Sequence, residues 1–257
     1  MNTRPMSIET LQNDRPKEGR RPRWVSLTLI MPGLNEETNI ENAVGRSLAA
    51  LERLTDEFEI ILINDGSTDR TGELADRLAA QNKRVRVLHN ERNVNYGISL
   101  RRGIQAARCD WILHNGMDLP LEPEDIGKFV PYFDSSDVIA ARRLNRSAHS
   151  PWRRLTSWVN NMLLRIFFAP RTADLNFVQF YRRTFVQSLH SIATSPAFVT
   201  PELILRAEKS GARVREVNAE FRRRESGTAH FGRVNDIAWT LADMIRLRFV
   251  AWFRGWN

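Results

Sequence analysis

The stretch at residues 109–123, CDWILHNGMDLPLEP, limits most tightly what this chain can fold into. Its apolar run, Trp111 to Leu113, is too short for a helix and predicts a buried strand. The two prolines that follow prevent regular structure directly after that strand. A short strand therefore delivers one acidic side chain, Asp118, to the rim of a sheet, where ligands of open α/β sheets bind.

A second stretch, at residues 58–69, has the same form. The mainly apolar run 58–63 predicts another strand, and the polar run NDGSTD follows it at residues 64–69. Two strands that end in acids, with helices between them, predict a site for a cationic or polyhydroxylated ligand.

Short strands alternate with helical patterns through the first half of the chain. This order is typical of an α/β fold with a mainly parallel sheet and helices on both faces. The predicted strands are 25–31, 58–63, 85–88, 111–114, 138–141 and 214–221, and the predicted helices include 71–82, 97–107, 124–133, 151–168 and 201–209.

The turn after the first strand is predicted from its proline and its asparagine. Pro32 and Gly33 should end the strand at Met31. Asn35 is then predicted to cap the next helix, with Glu36 in the positive first turn of that helix.

Composition divides the chain into three parts. Residues 1–23 carry three prolines, many charges and little apolar periodicity, which predicts a disordered tail. We expect a single α/β domain over residues 24–235 and an amphipathic C-terminal helix over residues 236–257.

Cysteine content and hydropathy predict the compartment. The single cysteine, Cys109, excludes an intrachain disulfide and fits a reducing compartment. No early apolar run resembles a signal peptide, and no uncharged apolar stretch reaches the roughly 20 residues that span a bilayer. We therefore expect a cytoplasmic protein that associates with the membrane only at its periphery.

Residues 142–183 form a strongly basic segment. They contain nine arginines and one acid, Asp174, so this segment alone equals the net charge of +8 of the whole chain. Such a patch attracts the phosphates of lipids, nucleotides or nucleic acids, although a solvated surface that aids solubility is an alternative. The arginines accompany a broad apolar face and no base-reading motif, so we expect no nucleic-acid partner.

Two amphipathic segments predict contact with an anionic membrane surface. The segment from Ile237 onwards combines tryptophans and phenylalanines with Arg246, Arg248 and Arg254. Aromatic residues favour the headgroup boundary and arginines attract anionic lipid, although both segments could instead pack on the sheet. The helix at 151–168 has a predicted apolar face of Trp152, Leu155, Val159, Met162 and Ile166.

Six short motifs carry a resemblance to a known family. Each is weak alone, but their order and spacing over residues 26–232 resemble the family 2 glycosyltransferases of the GT-A fold, especially the branch similar to dolichyl-phosphate mannose synthase. The motifs are PGLNEE (32–37), NDGSTD (64–69), RNVNYG (92–97), MDLPLEPED (117–125), DLNFVQFYRR (174–183) and RESG (224–227).

This resemblance implies an inverting glycosyltransferase. Such an enzyme moves a sugar from a nucleotide-sugar to a polyprenyl (dolichyl-type) phosphate at the cytoplasmic face of the membrane. A phosphate acceptor is already anionic, which agrees with the lack of an obvious histidine or paired-carboxylate base. Two alternatives stay open: a soluble or lipid hydroxyl acceptor, and a catalytically weakened homologue that binds nucleotide-sugars or acts as a scaffold.

The resemblance also implies the donor site. Pro32, Asn35 and Glu36 would line the nucleotide site, and Asp65 would bond the base. Asn35 and Asp65 also suit helix caps, which is the alternative role for both.

Asp118 corresponds to the second acid of the family's Asp-x-Asp motif, where a divalent cation (Mg or Mn) bridges carboxylate and diphosphate. Gly116 stands in place of the first acid, and Asn64 replaces the usual first acid of the other loop. Fewer carboxylates weaken cation binding, so the resemblance leaves metal dependence open.

Two further residues are implied to act in catalysis beside Asp118. Arg224 matches the arginine that neutralises phosphate in this branch, and its planar fork of donors suits that role. Asp174 opens the acceptor-side motif and would orient the acceptor or act as a base. The alternative for Asp174 is a buried partner for the surrounding arginines. Val178 stands near the family's usual glycine, so acceptor geometry is the least transferable part of the resemblance.

Overall fold

Seven strands form one sheet in the computed structural model, which describes residues 25–144, 151–221 and 234–256. The strands are β1 (Leu27–Gly33), β2 (Phe58–Asn64), β3 (Val85–His89), β4 (Trp111–His114), β5 (Val138–Arg143), β6 (Gln179–Arg182) and β7 (Val214–Ala219). Their spatial order is β3-β2-β1-β4-β6-β5-β7. Strand β6 pairs antiparallel with both neighbours and the other pairs are parallel, which confirms the predicted mainly parallel sheet.

Helices cover both faces of this sheet, as predicted. They are α1 (Ile40–Leu54), α2 (Thr71–Gln81), α3 (Tyr96–Ala106), α4 (Pro151–Phe168), α5 (Arg183–Ser188), α6 (Val199–Lys209) and α7 (Val234–Arg254). Helices α1 and α2 pack on one face, and α3 to α7 contribute to the core on the other. The helix predicted at 124–133 is instead two short 3₁₀ helices, Pro123–Lys128 and Val130–Tyr132. A proline at position 131 prevents one continuous α-helix there.

The first strand extends past the point where the sequence predicts its end. Pro32 and Gly33 belong to β1 and pair with Ile63 and Asn64 of β2. On the other side of β1, the last residue that pairs with β4 is Ile30. Pro32 therefore has no β4 neighbour, and its missing N–H costs no ladder hydrogen bond there.

The predicted helix cap at Asn35 is wrong. Helix α1 begins at Ile40, and its N-cap position is Asn39. Asn35 adopts a φ of 55°, and its side chain bonds the loop after β2 instead of the first turn of a helix.

Helix α4 buries a different face from the predicted one. Leu164 and Phe168 are buried and share a core cluster with Met244 of α7. Of the predicted face, Met162 and Ile166 are 36% and 69% exposed, Val159 is half-buried, and the side chains of Trp152 and Leu155 lie outside the described residues. Because α4 packs beside α7 and not flat on the sheet, its buried stripe is rotated away from the predicted one.

A buried ion pair joins α6 to the segments around it. Glu202 Oε1 accepts from Arg206 Nε at 2.8 Å, and both side chains are almost completely buried. The same carboxylate accepts from the N–H of Ala193 at 2.7 Å and from the Ser191 hydroxyl at 2.7 Å. Arg206 Nη1 donates to the carbonyl of Trp256 at 3.1 Å. This pair therefore ties α6 both to the loop before it and to the chain after α7.

Glu202→Ala should lower the free energy of unfolding by about 3–5 kcal/mol, because it leaves the Arg206 charge buried without its carboxylate. Urea denaturation measures this. Glu73→Ala is the matched control, since Glu73 pairs with Arg70 on the surface at 3.3 Å and should show no measurable loss. Equal effects for the two variants would contradict the structural role of the buried pair.

Candidate active site

Three loops meet at one edge of the sheet, because β1, β2 and β4 are parallel and their carboxyl ends share that edge. Strand β1 lies between β2 and β4, so the chain turns to one side of β1 for β2 and to the other side for β4. Open α/β sheets bind ligands in the crevice at such a switch point. The predicted nucleotide-binding residues and Asp118 all lie at or just after these strand ends.

Reciprocal hydrogen bonds hold the loops after β1 and β2 together. Asn35 Oδ1 accepts from the Thr68 N–H at 2.9 Å, and the Asn35 N–H donates to Ser67 Oγ at 3.0 Å. Asp69 Oδ2 accepts from the Glu37 N–H at 3.2 Å. The two loops that the resemblance assigns to the nucleotide therefore form one unit.

Pro32 and Glu36 are buried next to this unit, whereas Asn35 is exposed. The Glu36 N–H donates to Thr71 Oγ1 at 2.8 Å, and the Glu36 carboxylate accepts from Asn39 Nδ2 at 2.6 Å. These contacts fix the first loop from inside. Of the three predicted residues, Asn35 is the one that the fold presents to solvent.

Asp65 is buried and anchors the loop after β3. Its Oδ1 accepts from Asn90 Nδ2 at 2.9 Å and from the Val94 N–H at 3.0 Å. The alternative role as a helix cap is wrong, because the N-cap position of α2 is Arg70. The contact between Asp65 and a nucleotide base stays a prediction.

Asn64, which departs from the family pattern, has a local role that uses both ends of its amide. Its Oδ1 accepts from the Ser67 N–H at 3.0 Å, and its Nδ2 lies 3.1 Å from His89 Nδ1. On its other side, His89 Nε2 lies 3.0 Å from Asp76 Oδ1. A carboxylate at position 64 would accept from Ser67 but would have no proton to donate to the His89 ring.

The loop that carries Asp118 is fixed on both sides of that residue. Asn115 is completely buried, its Nδ2 donates to the Leu121 carbonyl at 2.8 Å, and its Oδ1 accepts from the Leu121 N–H at 3.2 Å. Leu119 adopts a left-handed φ of 47°. Asp118 lies between these points and is half-buried, which matches the predicted acid on a rim.

Sequence reasoning missed the buried polar pair beneath this loop. His114 Nδ1 lies 2.8 Å from Tyr96 Oη. Burial lowers the pKa of His114 to about 3, so the imidazole is neutral. Burial, and then the charge of Asp118, raise the pKa of Tyr96, so the phenol is neutral too. The only sequence signal for Tyr96 was its place in the motif RNVNYG.

The acceptor-side acid, Asp174, is a buried partner of an arginine. Arg143 Nε and Nη2 donate to its two oxygens at 2.7 and 2.8 Å. The guanidinium carbon of Arg143 lies 5.3 Å from the ring centre of Phe177 and 5.9 Å from that of Phe221. The structure thus contains the buried arginine pair that was the alternative for Asp174, and sequence reasoning did not single out Arg143 as the partner.

Arg224 and its motif lie outside the described residues, so the role of Arg224 in neutralising phosphate stays a prediction.

The predicted metal site would rest on Asp118. Over residues 25–144, 151–221 and 234–256, no group of three or more histidines, cysteines and acids is close enough together to hold a metal ion. One carboxylate is nevertheless enough where substrate phosphates and water supply the other ligands, as Mg²⁺ sites commonly do, so Asp118 fits that role.

The chain belongs to glycosyl transferase family 2, because the model of that family matches residues 28–192. It is 31% identical over 221 residues to the glycosyltransferase AglD of Haloferax volcanii, covering 80% of this chain and 35% of that protein. It is 29% identical over 210 residues to the undecaprenyl-phosphate 4-deoxy-4-formamido-L-arabinose transferase of Pectobacterium atrosepticum, covering 80% of this chain and 62% of that protein. The chain thus spans about one third of the length of the first relative and less than two thirds of the length of the second.

Solved structures confirm the predicted GT-A fold. Glucosyl-3-phosphoglycerate synthase from Mycobacterium tuberculosis superposes with a TM-score of 0.64 at 19% identity, covering 86% of this chain and 79% of that one. A complex of that enzyme with Mn²⁺, UDP and glucosyl-3-phosphoglycerate gives a TM-score of 0.60 at 21% identity, covering 89% and 79%. These GT-A neighbours therefore bind a divalent cation together with the nucleotide.

Asp65→Ala should speed hydrogen exchange at the Val94 amide by about tenfold or more, because the variant removes a charge-assisted hydrogen bond from that N–H. Exchange followed by NMR or mass spectrometry measures the effect. Asp56→Ala, at an exposed acid just before β2, is the control and should leave Val94 unchanged. Unaltered exchange in the Asp65 variant would show that this carboxylate does not anchor the loop.

Proposed function

We propose that this protein transfers a sugar from a nucleotide-sugar to a polyprenyl phosphate at the cytoplasmic surface of a membrane. The similarity to an undecaprenyl-phosphate sugar transferase over most of this chain carries the proposal. The switch-point edge supports it, because it brings Asn35, Asp65 and Asp118 to the carboxyl ends of three adjacent strands.

On the donor side, Asp118 would hold a divalent cation, Mg or Mn. When bound, the cation stabilises the negative charge that develops on the departing diphosphate. The loop after β1 would line the nucleotide through Pro32, Asn35 and Glu36, and Asp65 would bond the base. The hydrogen bonds between the first two loops support this role, since they pre-organise both sides of the nucleotide site before binding.

On the acceptor side, the proposal gives Asp174 a positioning role. Both of its oxygens bond Arg143, so the carboxylate would hold this guanidinium in place for the acceptor. A planar guanidinium beside two phenylalanine rings suits a phosphate monoester, which attacks as an anion and needs little general-base help. Arg224 would add a second positive charge to neutralise phosphate.

An apolar surface on two neighbouring helices supports the membrane part of the proposal. Four large apolar side chains of α7 are at least half exposed: Ile245 at 52%, Phe249 at 62%, Trp252 at 84% and Phe253 at 69%. On α4, Trp158 and Ile166 are 60% and 69% exposed. Arg165, Arg246 and Arg248 are exposed among them. Aromatic and basic residues together favour the headgroup region of an anionic leaflet.

Membrane contact by this surface would be peripheral. None of the described helices is both long enough and apolar enough to cross a bilayer. On α7, Met244 and Leu247 are buried against the protein, and Asp243 accepts from the Ser195 N–H at 2.7 Å. Helix α7 is therefore held to the protein by one face and presents the other to solvent.

The transfer itself is tested by incubating the protein with radiolabelled nucleotide-sugars and membrane lipid extract, with and without chelator. We expect label in a lipid-phosphate product, and Asp118→Asn should lower turnover by about 10²-fold or more because the carboxylate charge at the leaving group is lost. Near-normal turnover by this variant would remove Asp118 from the mechanism.

The assay also separates the alternatives. Label that appears in a soluble or hydroxyl-linked product would replace the polyprenyl phosphate with another acceptor. Nucleotide-sugar binding without any transfer would favour a binding or scaffold protein.

Binding to phosphatidylglycerol vesicles should weaken steeply with ionic strength, since each basic residue near an anionic leaflet contributes roughly 1 kcal/mol that salt screens. Phe249→Ser/Trp252→Ser should weaken it further, because two aromatic anchors are lost. Sedimentation with the vesicles measures both effects. Arg53→Ala/Arg108→Ala, at exposed arginines on α1 and before β4, should bind nearly as well as the wild type. If the wild-type protein does not bind such vesicles at low salt, the proposed membrane-binding surface is wrong.

A further inference from the structure

The carboxylate of Asp118 occupies the space where a side chain at position 116 would begin. An ideal Cβ built on Gly116 lies 2.4 Å from Asp118 Oδ1 and 3.6 Å from Asp118 Cγ. Non-bonded carbon and oxygen atoms do not approach to 2.4 Å. Any residue other than glycine at 116 therefore displaces this carboxylate.

Space, and not backbone conformation, is what demands glycine here. The described glycines with a positive φ are Gly66, Gly211 and Gly255, and Gly116 is not among them. Alanine is thus compatible with the backbone at 116. By contrast, Gly66 combines a φ of 71° with a Cβ position 2.3 Å from the backbone of Arg92.

The loop cannot easily move to make room. Asn115 bonds both backbone groups of Leu121, which closes the loop around Asp118. Met117 is buried, and its sulfur lies 2.3 Å from the position of a Cβ on Gly33, so this side chain packs directly on the end of β1. With the backbone fixed on both sides, the group that yields to a side chain at 116 is the Asp118 carboxylate.

We infer that Gly116 is a positioning residue: its missing side chain leaves the space that the carboxylate of Asp118 occupies. An acid at 116 and Asp118 in its present position exclude each other. Restoring the first acid of the Asp-x-Asp motif therefore weakens the site instead of completing it. This inference rests on the proposed function, in which Asp118 faces the donor diphosphate.

Gly116→Ala and Gly116→Asp test the inference in the full chain. Both should lower turnover of the nucleotide-sugar by about 10²-fold, because a displacement of about 1 Å in a catalytic group costs that much. Gly45→Ala is the control, since a Cβ at Gly45 meets nothing within 4 Å and should leave turnover unchanged. Thermal melting confirms that all three variants are folded.

A double-mutant cycle separates positioning from general damage to the loop. In an Asp118→Ala protein the carboxylate is gone, so adding Gly116→Ala should cause no further loss. Binding gives a second readout that needs no transfer. Mn²⁺ affinity in the presence of UDP or GDP, from the electron paramagnetic resonance signal of free Mn²⁺, should fall in Gly116→Ala, and by no more than in Asp118→Ala.

Three results would overturn the inference. They are wild-type or higher turnover in Gly116→Asp, an additive loss in the double variant, and unchanged Mn²⁺ affinity in a folded Gly116→Ala protein. Failure of the proposed function looks different, because the wild-type protein itself would then show neither transfer nor nucleotide-dependent Mn²⁺ binding.

Discussion

The site depends on the parallel pairing of β1 with β2 on one side and with β4 on the other. Backbone hydrogen bonds in these two ladders bring the carboxyl ends of three strands to one edge. The ladder with β4 stops at Ile30, two residues before Pro32, whereas the ladder with β2 continues to Gly33. The pairing of β1 with β4 therefore ends first, at the switch point where the loop of Asp118 begins.

Several polar groups at this edge are bonded to other parts of the protein. Asn35 and Asp65 each bond the backbone of another segment, Asn115 closes its own loop by bonding Leu121, and Asp174 is held by Arg143. Such contacts fix the loops before a ligand arrives, which lowers the ordering cost of binding. The loop that carries the one acid of the Asp-x-Asp motif is anchored by Asn115, and the carboxylate of that acid occupies the space over Gly116. The glycine in place of the first acid is thus compatible with a well-ordered loop around Asp118.

Six of the seven strands and the rim position of Asp118 were predictable from the sequence, because short apolar runs that end in polar turns have few alternatives in an α/β chain. The antiparallel strand β6 (Gln179–Arg182) was not predicted. The contact that Asn35 makes was not predictable, since an asparagine before a helix suits a helix cap equally well. Its side chain bonds the loop after β2 instead, which is distant in the sequence. The prediction of the buried face of α4 was wrong for a similar reason: periodicity locates an apolar stripe but does not show which neighbouring element covers it. Arg143 and Tyr96 were not predicted, because Arg143 bonds Asp174 and Tyr96 bonds His114 across distant parts of the sequence, and local sequence patterns do not show such contacts.

Hydrogen–deuterium exchange with UDP and Mn²⁺, repeated with GDP, tests most directly that the nucleotide binds at this edge. Slower exchange is expected in the loops at residues 32–37, 64–69 and 115–121, with no change over α7. Protection confined to other surfaces, such as the open polar cleft lined by Glu37, Glu41, Arg70 and Arg77 between α1 and α2, would contradict the site.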